Sequence, residues 1–196
     1  MALPASGKRL GLLHRNEAAA ASASQENPFF PLKVFALILV TVVVQTSIAP
    51  YLTVLGAKPD VALVMVVCLA MMRGPAWGAA VGFAAGLLID IALFQTLGIS
   101  SFLFTLAGYF SGRYAEGVDP DSWFPPIFTV FICTLVVQTL HAMIMFLIGI
   151  EASVGFVVLR IILPTGLLNA LLAAPVFVVG RWWLGGERRH GLFSEQ

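Results

Sequence analysis

The sequence predicts an all-α polytopic membrane protein, a bundle of six transmembrane helices, on three observations. Hydrophobic residues make up 59% of the 196 and charged residues only 11%, against about 25% charged in soluble chains. Apolar stretches recur from about residue 30 almost to the end, with a mean hydropathy of +0.94, which leaves no stretch for a soluble core. Once six spans are drawn, the basic residues and tryptophans gather on one side, as they do in membrane proteins.

Residues 1–28, rich in alanine and serine around "NEAAAASASQEN", carry Lys8, Arg9 and Arg15 and little that could form a core. They read as a disordered cytoplasmic tail. The apolar run "LGLL" within them is shorter than the roughly 7–15 residues of a signal-peptide core, so the first hydrophobic segment is expected to stay as an anchor. A membrane domain follows over 29–184, then a short cytoplasmic tail over 185–196.

The spans fall near 32–49, 59–72, 76–94, 97–114, 124–150 and 154–183, each bounded by charge, proline or glycine. The second is short. Its apolar run "VALVMVVCLAMM" rises about 18 Å against a hydrocarbon core of about 30 Å. It either spans with Lys58 and Arg73 snorkelling or is a half-span buried among its neighbours. The last two are long enough to need tilt or a kink, and Pro164 is the expected kink in the sixth.

Six spans put both termini on one side. Lys8, Arg9, Arg15, Lys33, Arg73, Arg113, Arg181, Arg188 and Arg189 fall there, while Lys58 lies opposite and Arg160 inside a span. Trp77, Trp123, Trp182 and Trp183 mark the same face. The positive-inside rule then makes the termini cytoplasmic.

Cys68 and Cys133 fall within spans and read as small apolar fillers. The sequence lacks a Gly-Lys-Ser/Thr phosphate loop, a G-x-S-x-G elbow, H-E-x-x-H and any Cys/His ligand cluster. No catalytic, cofactor-binding or metal site is therefore expected. With a net charge of +1 and no basic patch beyond the membrane flanks, nothing points to nucleic acid.

The informative positions are polar groups inside the spans. On this topology Asp90 lies roughly 6 Å and Arg160 roughly 9 Å below the outer interface, with Asp60 in the same layer. Unpaired charge there is costly, so Arg160 is expected to pair with Asp90, Asp60 or both. The network reads either as a structural clamp or as a substrate or proton site. Gln138 and His141, three apart on span five, and Asn169 on span six read as helix cross-links or as a proton relay.

In "GPAWGAAVGFAAGLLID" a glycine recurs every fourth residue at Gly74, Gly78, Gly82 and Gly86, and Asp90 stands where the next would fall. Gly108 and Gly112 repeat the spacing on span four. Such a ridge permits close helix approach, either with the chain's own helices or with a partner's transmembrane helix.

Residues 58–113 carry an ordered series of motifs: Lys58-Pro59-Asp60, Arg73-Gly74-Pro75, the glycine ladder to Asp90, Leu97-Gly98, Gly108-Tyr109 and Gly112-Arg113. The segment resembles the central region of MreD, the bacterial rod shape-determining membrane protein family, although the long N-terminal tail departs from that family's compact start. The resemblance implies a non-enzymatic scaffold of the elongasome in the inner (cytoplasmic) membrane, required for rod shape and lateral peptidoglycan synthesis. Its implied partners are MreC, MreB filaments, the RodA-type glycosyltransferase and its class B penicillin-binding transpeptidase. The family is similar in fold to the substrate-binding subunits of ECF-type vitamin transporters, so a small-molecule-binding subunit is the alternative. Short outer loops, "FQT" and "GIEAS", favour the scaffold. Two faces are candidates for partners: the glycine groove, suited to MreC, and the cytoplasmic surface around Arg73, Arg113 and the acidic Glu116, Asp119 and Asp121, which otherwise only solvate their loop. Self-association of two copies is left open.

Overall fold

A computed structural model describes residues 30–47, 51, 53, 57–118, 124–149 and 161–183. The described residues form six helices: α1 (Phe30–Ser47), α2 (Val61–Arg73), α3 (Pro75–Ala92), α4 (Ile99–Ala115), α5 (Phe124–Leu147) and α6 (Leu163–Trp183). They fall in the six expected spans. The chain divides into two compact units at Val34. Only the opening turn of α1 is described in the first unit; everything below concerns the second, from Phe35 onward.

Apolar residues cover the outside of the bundle as well as its core. Val40, Val43, Phe83, Phe102, Phe110, Phe128, Phe146, Leu167, Leu171 and Val178 are all exposed. In water such a surface would aggregate, whereas hydrocarbon covers it without cost. Helices α3, α5 and α6 are each long and apolar enough to cross a bilayer. This is an all-α polytopic membrane protein.

Helix α2 lies at the centre. Ala62 through Ala70 are buried without a break, because α3, α4, α5 and α6 all pack on it. That enclosure explains a helix apolar on every side. Its 13 residues rise only about 20 Å, so its ends need polar partners from the surrounding protein.

At its C-terminal end the link to α3 is a single residue. Gly74 takes φ 95° and ψ −179°, a conformation open essentially to glycine, and its N–H donates to the Ala70 carbonyl at 2.7 Å. Pro75 then opens α3 at a position that needs no N–H. The Arg73-Gly74-Pro75 motif is thus a tight helical hairpin.

The most extensive helix pairing is α3 against α4, and it is antiparallel along the glycine ladder. A Cβ on Gly78 would meet the Gly108 carbonyl, one on Gly82 the Phe104 carbonyl, and one on Gly86 the Ser101 backbone at 2.5 Å. Gly112 in turn faces Gly74 and Pro75. As the α3 position advances by four at each step, its α4 partner retreats by four, four and then three. The two backbones touch where side chains would otherwise hold them apart.

Pro164, the expected kink of the sixth span, follows a wide π-type turn at Ile161 and Ile162, the kind of irregularity at which helices bend; the residues immediately before 161 lie outside those described. Pro175 is the proline inside α6. The expectations for the tails, Trp123, Asp119, Asp121 and the loop "GIEAS" concern residues largely or wholly outside those described.

Candidate functional site

The polar side chains collect at one end of the bundle, where α1, α3 and α5 finish and α2 and α4 begin. Arg73, Arg113 and Arg181 lie in the last turns of α2, α4 and α6, at the opposite end.

Two carboxylates cap helices here. Asp60 is the N-cap of α2, its Oδ1 accepting the Leu63 N–H at 3.1 Å. Asp90, 0% exposed, accepts the Gly98 N–H at 2.8 Å through Oδ2 and the Ser100 N–H at 3.3 Å through Oδ1. Gly98, with φ 99°, is the N-cap residue of α4 but has no side chain to cap with. Asp90 supplies that cap from the neighbouring helix. Both carboxylates therefore sit at helix N-termini, where unpaired N–H groups and the helix dipole stabilise negative charge.

Amide side chains complete the start of α2. The Gln45 Oε1 of α1 accepts the Val61 N–H at 2.8 Å, and its Nε2 donates to the Pro59 carbonyl at 3.3 Å. One side chain thus substitutes for a length of backbone, pairing with both a donor and an acceptor. From α6, Asn169, fully buried, accepts the Asp60 N–H at 2.8 Å through Oδ1 and donates from Nδ2 to the Thr134 Oγ1 at 3.1 Å. Thr134 in turn donates its hydroxyl hydrogen bond to the Val130 carbonyl at 2.7 Å. The chain Asp60–Asn169–Thr134 ties the start of α2 to α6 and α5 in a setting where an unmet polar group is expensive.

Beside these caps lies a cleft of about 360 Å³, lined by Gln45, Lys58, Asp60, Gln95, Gln138 and His141 over an apolar wall that includes Ile89, Leu103 and Phe104. His141 lies within electrostatic reach of Asp90.

The family model of rod shape-determining protein MreD matches residues 28–182. The chain belongs to the MreD family. No curated protein and no solved structure matches. The match takes in all six helices, all but the last residue of α6, so this MreD-family chain is a rod shape-determining, multi-pass membrane protein. Within the match, Pro59 and Asp60 build the start of α2, Gly98 the start of α4, and Gly108 and Gly112 the face that meets the ladder. Tyr109 stands exposed beside Phe110, ring edge to ring face at 5.5 Å, and Arg113 pairs with Glu116 at 2.8 Å on the surface.

The structure brings Asp60 and Asp90 to one end; Arg160, their expected ion-pair partner, lies outside the described residues. Backbone N–H groups are the described partners of both carboxylates. Two members of the hub escaped the sequence reading, Gln45 and Thr134. Gln45 carries a signal: Ile38, Thr41 and Gln45 follow a helical stripe whose first two members are buried, which puts its amide on the inward face.

Proposed function

We propose that the protein is a non-enzymatic scaffold of the cell-elongation machinery in the cytoplasmic membrane, required for lateral peptidoglycan synthesis. It binds MreC and through it is linked to MreB, the RodA-type glycosyltransferase and the class B penicillin-binding transpeptidase. The family match over the whole helical bundle carries this reading. The use of Asp60, Asp90, Gln45 and Asn169 as caps and cross-links supports it, because groups spent on helix ends stabilise a bundle rather than carry out chemistry. The basic end, with Arg73, Arg113 and Arg181, faces the cytoplasm by the positive-inside rule.

The glycine ridge is covered by α4, so MreC docks on another surface, among the exposed apolar faces of the bundle. Affinity purification of the tagged protein from its native membrane in mild detergent, with mass spectrometry of the co-purifying chains, tests the reading. Recovery of MreC with the wall synthases is the expected result; their absence from a folded preparation refutes it. The cleft favours a second reading, a small-molecule-binding subunit of an ECF-type transporter. Recovery of an energy-coupling membrane subunit with paired ATPases in the same experiment would establish that one instead.

A further inference from the structure

The cleft is built from five parts of the chain: the end of α1, the segment Lys58-Pro59-Asp60, the end of α3 with Gln95, the first turns of α4, and the α5 face that carries Gln138 and His141. Its polar groups are only partly those of the hub beside it. Gln45, Asp90 and Asn169 are engaged in hydrogen bonds within the protein. The side chains of Gln138 and His141, both half-buried, make no hydrogen bond among the described residues. Polar groups placed at this depth without an internal hydrogen bond are costly, and here they converge on one cleft.

The charges narrow the ligand. Lys58 contributes a cation that no described carboxylate pairs with, and Asp60, with Oδ1 taken by the Leu63 N–H, turns its remaining capacity toward the same space. A purely anionic ligand would meet the Asp60 carboxylate, and a purely cationic one would meet Lys58. Both charges are satisfied together by a molecule that carries a phosphate and an amine. The Gln138 amide and His141 ring add neutral donors suited to phosphate oxygens, while Ile89, Leu93, Leu103, Phe104 and Val137 supply an apolar wall. A volume of about 360 Å³ is room for roughly twelve waters at about 30 Å³ each. That holds a head group and the root of a chain, not a whole lipid.

We infer that this cleft binds the head group of a zwitterionic aminophospholipid, with phosphate toward Lys58, His141 and Gln138, ammonium toward Asp60, and the glycerol and first methylenes along the apolar wall. The inference does not depend on which proteins the bundle assembles with.

The test is native mass spectrometry of the purified full-length protein in mild detergent, offered equal amounts of phosphatidylethanolamine, phosphatidylglycerol and phosphatidylcholine. The wild type should retain one phosphatidylethanolamine with at least tenfold preference over either competitor, and Lys58→Gln and His141→Leu should each remove that preference. Lys58 is exposed, so its replacement leaves the core packing untouched, and an unchanged melting temperature confirms that the variant is folded. Water-soluble glycerophosphoethanolamine forms a second arm. Retention of it as tightly as the lipid keeps the chemistry and assigns the ligand to a free metabolite, while failure to retain it assigns the ligand to the bilayer. Equal retention of the three lipids, or the wild-type preference surviving in folded Lys58→Gln, overturns the inference.

Discussion

Replacing Gly82 by alanine adds one methyl group where the structure has no room for it. Its Cβ would fall on the Phe104 carbonyl group, 2.6 Å from the carbonyl carbon and 3.0 Å from the Thr105 nitrogen, where ordinary contact begins near 3.4 Å. Both neighbours are backbone, so no rotamer change relieves the clash; the carbonyl oxygen lies nearer still, and α3 and α4 must separate by at least about 0.8 Å. A gap of about 0.5–1 Å forfeits a quarter to a half of each dispersion contact along the seam, and overpacking of this kind costs about 1–3 kcal/mol. Because the clash is with backbone, the overpacking falls in the upper part of that range; alanine returns up to about 1 kcal/mol of helix propensity, leaving a net loss of about 1–2 kcal/mol. Gly180→Ala is the control. Its Cβ meets only the Met72 Sδ, at 3.5 Å, so the propensity gain stands and stability should hold or rise. Thermal unfolding followed by tryptophan fluorescence in one detergent compares the two, with a fall of about 2–8 °C expected for Gly82→Ala from about 2–4 °C per kcal/mol at this size. Gly78→Ala added to it should cost less than it does alone, because the helices are already apart. A Gly82→Ala protein as stable as wild type, or a Gly180→Ala protein equally damaged, would refute the close-packed seam.

Asp90→Asn keeps the shape of the cap but leaves a single acceptor oxygen, so one of the bonds from Gly98 and Ser100 loses its charge assistance and the other N–H faces an amide NH2 that cannot accept it, a loss of about 1.5–3 kcal/mol. Amide hydrogen exchange at those two residues should quicken well before exchange in the rest of α4; unchanged protection would show that the carboxylate does not hold the helix start. Asn169→Leu strands the buried Asp60 N–H at a cost of about 1–3 kcal/mol and removes the bond to Thr134 as well, whereas Thr134→Val removes only the second bond and leaves one hydrogen of the Asn169 amide without its acceptor. The same thermal assay should rank Asn169→Leu clearly below Thr134→Val, and the reverse order would refute the assignment of Asn169 as the link to α2.

Much of this was legible in the chain because glycine and proline mark backbone events directly. Arg73-Gly74-Pro75 announced a helix boundary, and the four-residue glycine period announced a flat helix face. Which surface that face would meet was not legible. Periodicity describes one helix, and it took the matching descent of Gly112, Gly108, Phe104 and Ser101 along α4 to identify the occupant. The acidic residues were legible as costly but not as caps. A buried carboxylate suggests a cation, and the competing solution, N–H groups at a helix start that lacks its own capping side chain, depends on Gly98 arriving beside Asp90 in space. Gln45 was hardest to see, since a lone amide in an apolar helix says nothing about the backbone it will pair with 14–16 residues later.

A ladder of identical rungs fixes spacing but not position. Slide α4 along α3 by one rung, about 6 Å at 1.5 Å per residue, and most glycines would again face small or backbone surface. Packing alone distinguishes such arrangements poorly. Asp90 breaks that degeneracy, because its bonds to Gly98 and Ser100 close at one setting and are out of reach a rung away. The aspartate at the fifth rung works as an index mark: the glycines let the two helices come together, and the carboxylate tells them where to stop.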